Sequence, residues 1–115
     1  MRTKPQIEYA DFEKIDIRIG KIISVEAFPE AQKPAYKLSI DFGEDVGIKY
    51  SSAQITVNYS TADLIGTQIV AVINFPPKRI ASFTSEVLVL GVADEHGAVV
   101  LLKTVDSVPV RSAIY

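Results

Sequence analysis

The residues able to do chemistry in this chain are gathered in a few short windows. Between the apolar runs Ile69 to Phe75 and Val87 to Val92 lies the polar insert PPKRIASFTSE. Asn74 and Phe75 stand at its head, and Lys78, Arg79, Phe83, Ser85 and Glu86 lie within it. From Asn74 to Ser85 there are two cations and no acid, and from Ala31 to Ile40 there are again two, Lys33 and Lys37, and no acid. Both windows are locally positive in a chain whose 12 Lys and Arg stand against 14 Asp and Glu, for a net charge of −2. That balance excludes a generally basic nucleic-acid coat, so any anion site must be local. The Pro-Pro pair restricts the backbone ahead of Lys78 and Arg79, because each ring fixes φ and disfavours helix in the residue before it. Such a loop presents charge with less entropy to lose on binding. Asn74 adds amide donors and acceptors, while Phe75 and Phe83 offer either stacking or packing at a barrel end. Ser85 and Glu86 can hydrogen-bond a base edge or hold the loop.

Catalytic arrangements are missing from the pattern. The single histidine, His96, sits among Asp94, Glu95 and Gly97 in an expected turn and reads as a solvated residue. The acidic turns GEDVG and DEHG lack the ligand spacing of a calcium loop. There is no Gly-rich phosphate loop, no G-x-S-x-G and no set of nucleophile, base and orienting group. The absence of cysteine removes disulfides, thiolate metal sites and thiol nucleophiles, and suits a reducing cytoplasm. No enzyme, metal or other cofactor is expected. The N-terminal stretch lacks an apolar signal region and no apolar run approaches 18 residues, so a cytoplasmic chain without membrane insertion is expected.

The elements that must position these groups follow from periodicity. At 115 residues the chain fits one domain, 1–115, with terminal extensions 1–12 and 104–115. Asp11 is expected to cap a turn over Phe12 to Ile15, and IDIRIGKIISVEAF reads as a long strand bulged at Gly20. In AYKLSIDF, Tyr36, Leu38, Ile40 and Phe42 share one face and Lys37, Ser39 and Asp41 the other. A third strand is expected over Ile48 to Val57, where Ser51, Ser52, Gln54 and Thr56 are dense for a core element. Ser60 and Asp63 form a capping-box pattern and Gly66 a C-terminal cap, which predicts one short helix. QIVAVINF reads as a buried strand, and EVLVLGVADEHGAVVLLK as a hairpin turning at Asp94 to Gly97. Five strands with one short helix between the third and fourth is the element order of an OB-fold, an all-β Greek-key barrel, although other small barrels share it.

Five segments carry a further signal: DFEKIDIRIGKI, FPEAQKPAYKLSIDFG, GIKYSSAQIT, VINFPPKRIASFTSEVLVLG and VVLLK. In this order, from Asp11 to Lys103, they closely resemble the CsaA family of small export-related chaperones, itself part of the wider tRNA-binding domain family. The resemblance independently implies the OB-fold. The wider family's His-Pro-Asp-Ala-Asp motif stands here as Phe28-Pro29-Glu30-Ala31-Gln32, with KPAY ahead of Lys37-Leu38. Its Ser-Gly is replaced by Ser51-Ser52-Ala53-Gln54, and only Ser85-Glu86 survives of Ser-Glu-Gly-Met. The glycine expected shortly after the basic pair is Ser82. These departures follow the CsaA pattern, for which a chaperone role and retained RNA affinity are both implied.

The resemblance further implies a homodimer whose terminal extensions pack on the partner. The sequence allows this, since Ile7, Tyr9, Phe12, Val108, Val110, Ile114 and Tyr115 exceed what a small barrel readily buries, and 48 % of the chain is apolar. Alternatively the ends pack on their own barrel. Together these readings make the insert the rigid cationic rim of a binding groove, with Lys33, Lys37, Ser51, Ser52 and Gln54 on its floor. The ligand is then an unfolded preprotein or peptide, or else tRNA.

Overall fold

Alternation of apolar and polar residues builds the barrel of this computed structural model, which describes residues 2–115. Strands β1 (Ile17–Ala27), β2 (Tyr36–Asp41) and β3 (Ile48–Ala53) form an antiparallel meander. A short helix α2 (Thr61–Leu64) then leads into β4 (Gln68–Val72), which pairs with the other edge of β1. With β7 (Leu88–Val89) the main sheet has the order β3-β2-β1-β4-β7. The remaining strands are two hairpins, β5 (Lys78–Ile80) with β6 (Phe83–Ser85) and β8 (Gly91–Ala93) with β9 (Val99–Leu101). The sheet curls into the five-stranded OB-like barrel that the element order and the family resemblance both predict. Among the described residues no helix is long and apolar enough to cross a membrane.

The inward face of β2 is the one its alternation predicts: Leu38, Ile40 and Phe42 are buried. They meet Ile22 from β1, Ile69 and Ala71 from β4, Leu64 from α2, and Ile55 and Val87 from loops in one core. β4 is buried along nearly its whole length because it lies between β1 and β7, which explains its continuous apolar run.

Several local expectations change. The bulge in β1 falls between Ile22 and Ser24, not at Gly20. Gly20 answers a different need, since a Cβ there would lie 2.6 Å from Ile40 Cγ2 and 2.7 Å from Phe42 Cε1. The first helix, α1, spans Tyr9–Glu13, and Glu8 is its N-cap while Asp11 closes the capping box from the third position. β3 ends at Ala53 rather than Val57, and Ile55 turns into the core. The insert after β4 is a hairpin rather than a loop. The Ser60–Asp63 capping box and the positive φ of Gly66 are present as predicted.

The turn at Asp94 to Gly97 also forms, and Asp94 organises it. Its carboxylate accepts hydrogen bonds from the Asn58 amide and from the backbone N–H groups of His96 and Ala98. These donors, the Asn58 amide foremost, hold the Asp94 carboxyl below the usual carboxylate range. A carboxyl whose folded pKa is depressed stabilises the fold above its unfolded pKa, and that contribution is lost as pH falls through the lowered folded value. The Asn58→Ala variant is therefore expected to titrate Asp94 at higher pH, read from its carboxyl carbon shift by NMR. An unmoved titration would contradict this assignment.

The C-terminal stretch lies along its own β1. Ile19 N–H donates to Ser112 O at 3.0 Å, Arg111 N–H to Ile19 O at 2.7 Å and Ile114 N–H to Ile17 O at 2.9 Å. The Gln68 side chain bonds both backbone groups of Val108, and Arg111 pairs with Asp45. Ile7, Tyr9 and Tyr115 remain largely exposed.

Candidate binding cleft

The insert becomes a site because a hairpin carries it. Pro76 and Pro77 deliver the chain into β5, which turns back through Ala81-Ser82 so that Ile80 pairs with Phe83. A two-residue hairpin turn matching strand twist needs positive φ at its first residue, usually glycine. Here Ala81 takes φ 53°, so Ala81 rather than Ser82 occupies the glycine-like position. Arg79 Nε donates to Ala81 O at 3.0 Å and braces the turn. Ala81→Gly is expected to raise stability by about 0.5–1 kcal/mol, relief of left-handed strain outweighing added chain entropy. A lower urea midpoint in that variant would refute it.

On one side of the hairpin, Lys78 and Arg79 face Lys33, Ser52 and Gln54 across a cleft of about 540 Å³ whose rim also holds Glu30. Lys33, Lys78 and Arg79 are exposed, and among the described residues none of the three forms an ion pair. Their charge is uncompensated and close together, which suits an anion.

Other predicted residues are engaged elsewhere. Lys37 pairs with Glu26 at 3.8 Å and lies over the buried Phe28 ring at 5.4 Å, outside the cleft lining. Phe83 meets the edge of Phe28 at 5.5 Å, so packing accounts for part of its surface. Ser51 is no floor residue: it is buried, and its hydroxyl donates to Val87 O at 3.0 Å. Ser85 Oγ accepts from Ser52 N–H at 3.0 Å and Glu86 Oε1 from Tyr50 N–H at 3.1 Å, while Glu86 N–H donates to Tyr50 O. Ser85 and Glu86 thus hold the seam that closes the barrel against β3. Asn74 lies away from the cleft and clamps the N-terminal segment, accepting from Asp16 N–H and donating to Lys14 O.

Beside Lys78 lies a second opening, a mostly apolar recess of about 240 Å³ formed by Phe75, Pro76, Val87 and Leu88, with Lys78, Ser85 and Glu86 completing its lining. Phe75 and Leu88 are half exposed there. A third, shallower recess joins Tyr50 to Phe83 and Thr84. Sequence reasoning missed Tyr50, yet its signal was present: Tyr50, Ser52 and Gln54 share one phase of an alternating strand, and Ser51 has the other. Among the described residues no group of His, Asp and Glu is placed to hold a metal ion.

This hairpin-rimmed barrel corresponds to a known module, since the family model described as "Putative tRNA binding domain" matches residues 17–112. The chain belongs to this tRNA-binding domain family. Among solved members, the chaperone CsaA of Bacillus anthracis is 52 % identical, with a TM-score of 0.90 over 96 % of this chain and 100 % of that one. The CsaA chaperone protein of Picrophilus torridus is 55 % identical, with a TM-score of 0.89 over the same shares. The family domain also occurs within larger proteins: a methionine–tRNA ligase of Methanosarcina acetivorans is 34 % identical over 87 % of this chain. The chain spans only 14 % of that ligase.

Proposed function

We propose that this chain is a CsaA-type chaperone, a non-catalytic cytoplasmic module that binds unfolded preprotein or peptide segments as a homodimer. The observation that carries this reading is the exposed apolar recess of Phe75, Pro76 and Leu88 beside the cationic cleft. An apolar surface of this kind, open at the edge of the barrel core through Val87, offers a place for apolar side chains that an unfolded chain exposes. Likeness to two CsaA chaperone structures across 96 % of the chain supports it. Ile7, Tyr9 and Tyr115, all largely exposed, are the surface assigned to the second copy.

The test is capture of a chemically unfolded polypeptide by the purified protein, followed by suppression of its light scattering, across a salt series. Binding that persists in high salt is expected, from a particle of twice the 12.6 kDa chain mass. No capture at any salt concentration would overturn the chaperone reading, and a monomeric mass the dimer.

A second reading, a tRNA-binding module, is favoured by the three unpaired cations of the cleft. In it Lys33, Lys78 and Arg79 meet phosphates while Ser52, Gln54 and Tyr50 meet unpaired bases. Affinity for tRNA that falls steeply with salt is its signature.

A further inference from the structure

Lys78 is a wall common to both openings: it lines the apolar recess with Phe75 and Leu88, and it lines the cationic cleft with Lys33 and Arg79. We infer that the polypeptide segment this surface prefers is apolar and acidic together, one apolar side chain entering the recess and carboxylates reaching the cleft. The inference rests on the chaperone reading and assigns its sequence preference.

Three features of the site lead there. The cleft brings three cations together with one acid, Glu30, and the recess's one acid, Glu86, is paired with Lys49 at 3.9 Å, so a segment carrying its own cations meets net repulsion while carboxylates meet attraction. Ser52 and Gln54 in the same cleft add polar groups able to hydrogen-bond carboxylate oxygens. The Pro76-Pro77 pair, between Phe75 in the recess and Lys78 in the cleft, limits how far the two halves can shift relative to one another. A ligand crossing Lys78 therefore finds the spacing preset and loses less order on binding. An extended chain advances about 3.3 Å per residue, so positions two to four residues from the apolar anchor sample carboxylate placements about 7–13 Å from it.

The experiment uses fluorescently labelled peptides of one length in anisotropy titrations with the whole chain. Each carries a single Phe, and the positions two to four residues away are all Asp, all Gln or all Lys. The Asp peptide is expected to bind about tenfold or more tightly than the Lys peptide at low salt, with the Gln peptide between. In Lys78→Gln the difference between Asp and Lys peptides should shrink, whereas Leu88→Ser should weaken all three. Lys78 and Leu88 are surface residues, so both variants keep the core intact. Equal binding of the Asp and Lys peptides would overturn the inference and leave the chaperone reading standing. Failure of every peptide and of a longer unfolded polypeptide would overturn both. Binding of an oligonucleotide, but not of the Asp peptide, would assign the cleft to RNA and likewise overturn the inference.

Discussion

Replacing Phe42 with alanine is expected to remove about 3–5 kcal/mol of stability, the usual cost of deleting a fully buried aromatic ring. Phe42 has no exposed surface, and its ring lies over Gly20, with Ile40 beside it. A domain of this size has about 5–15 kcal/mol in total, so the loss would take about a fifth of it at the least and nearly all of it at the most. The opposite change makes the same point. Gly20→Ala would set a methyl group 2.6 to 2.8 Å from Ile40 and the Phe42 ring, and is expected to cost about 1–3 kcal/mol through overpacking. Because the two sites touch, Gly20→Ala combined with Phe42→Leu should be less destabilised than the two single losses added. Urea unfolding of the four proteins checks this. Strict additivity would mean that the Gly20–Phe42 approach does not decide the identity of residue 20.

The second large effect concerns the cleft. In the tRNA-binding reading, Lys78→Ala/Arg79→Ala should lower the slope of log affinity against log salt by about two units, one for each phosphate that the variant no longer neutralises. Between 50 mM and 200 mM salt the variant's affinity would then fall by a factor about sixteen times smaller than that of the unaltered protein. Lys37→Ala is the control. That lysine pairs with Glu26 and covers Phe28, so its removal should leave the slope nearly unchanged. Filter binding to bulk tRNA across a salt series supplies the readout. An unchanged slope in the double variant would remove Lys78 and Arg79 from the phosphate-binding groups, whereas a change in the Lys37 variant alone would move the anion site to the β2 face.

The cations and the polar groups around them were not equally visible in the linear order. Lys78 and Arg79 stand out because they are adjacent, free of acids and preceded by two prolines, all of which are local properties. Lys37 likewise lies in an acid-free window, yet Glu26 is its register partner across β1 and β2, and only pairing of those strands brings the two together. Ser85 and Glu86 read as either ligand groups or loop braces. Their bonds to Ser52 and Tyr50 cross more than 30 residues of sequence, so barrel closure alone decides for the brace. Asn74 is drawn off by backbone groups of Lys14 and Asp16 for the same reason.

What the sequence determined by itself, then, is what depends on neighbours along the chain. The apolar face of β2, the Ser60–Asp63 cap, the Asp94 turn, the order of strands around one short helix and the charge of the insert all follow from residue type at a spacing of two to four. Tertiary structure decided which cations stay free, which polar side chains close the barrel, that β1 bends at Ile23, and that residue 20 must lack a side chain. It also placed Lys78 between an apolar recess and a cationic cleft. Charge, capping and alternation act over a few residues, whereas ion pairing, steric exclusion and cavity shape arise only where distant segments are packed against one another.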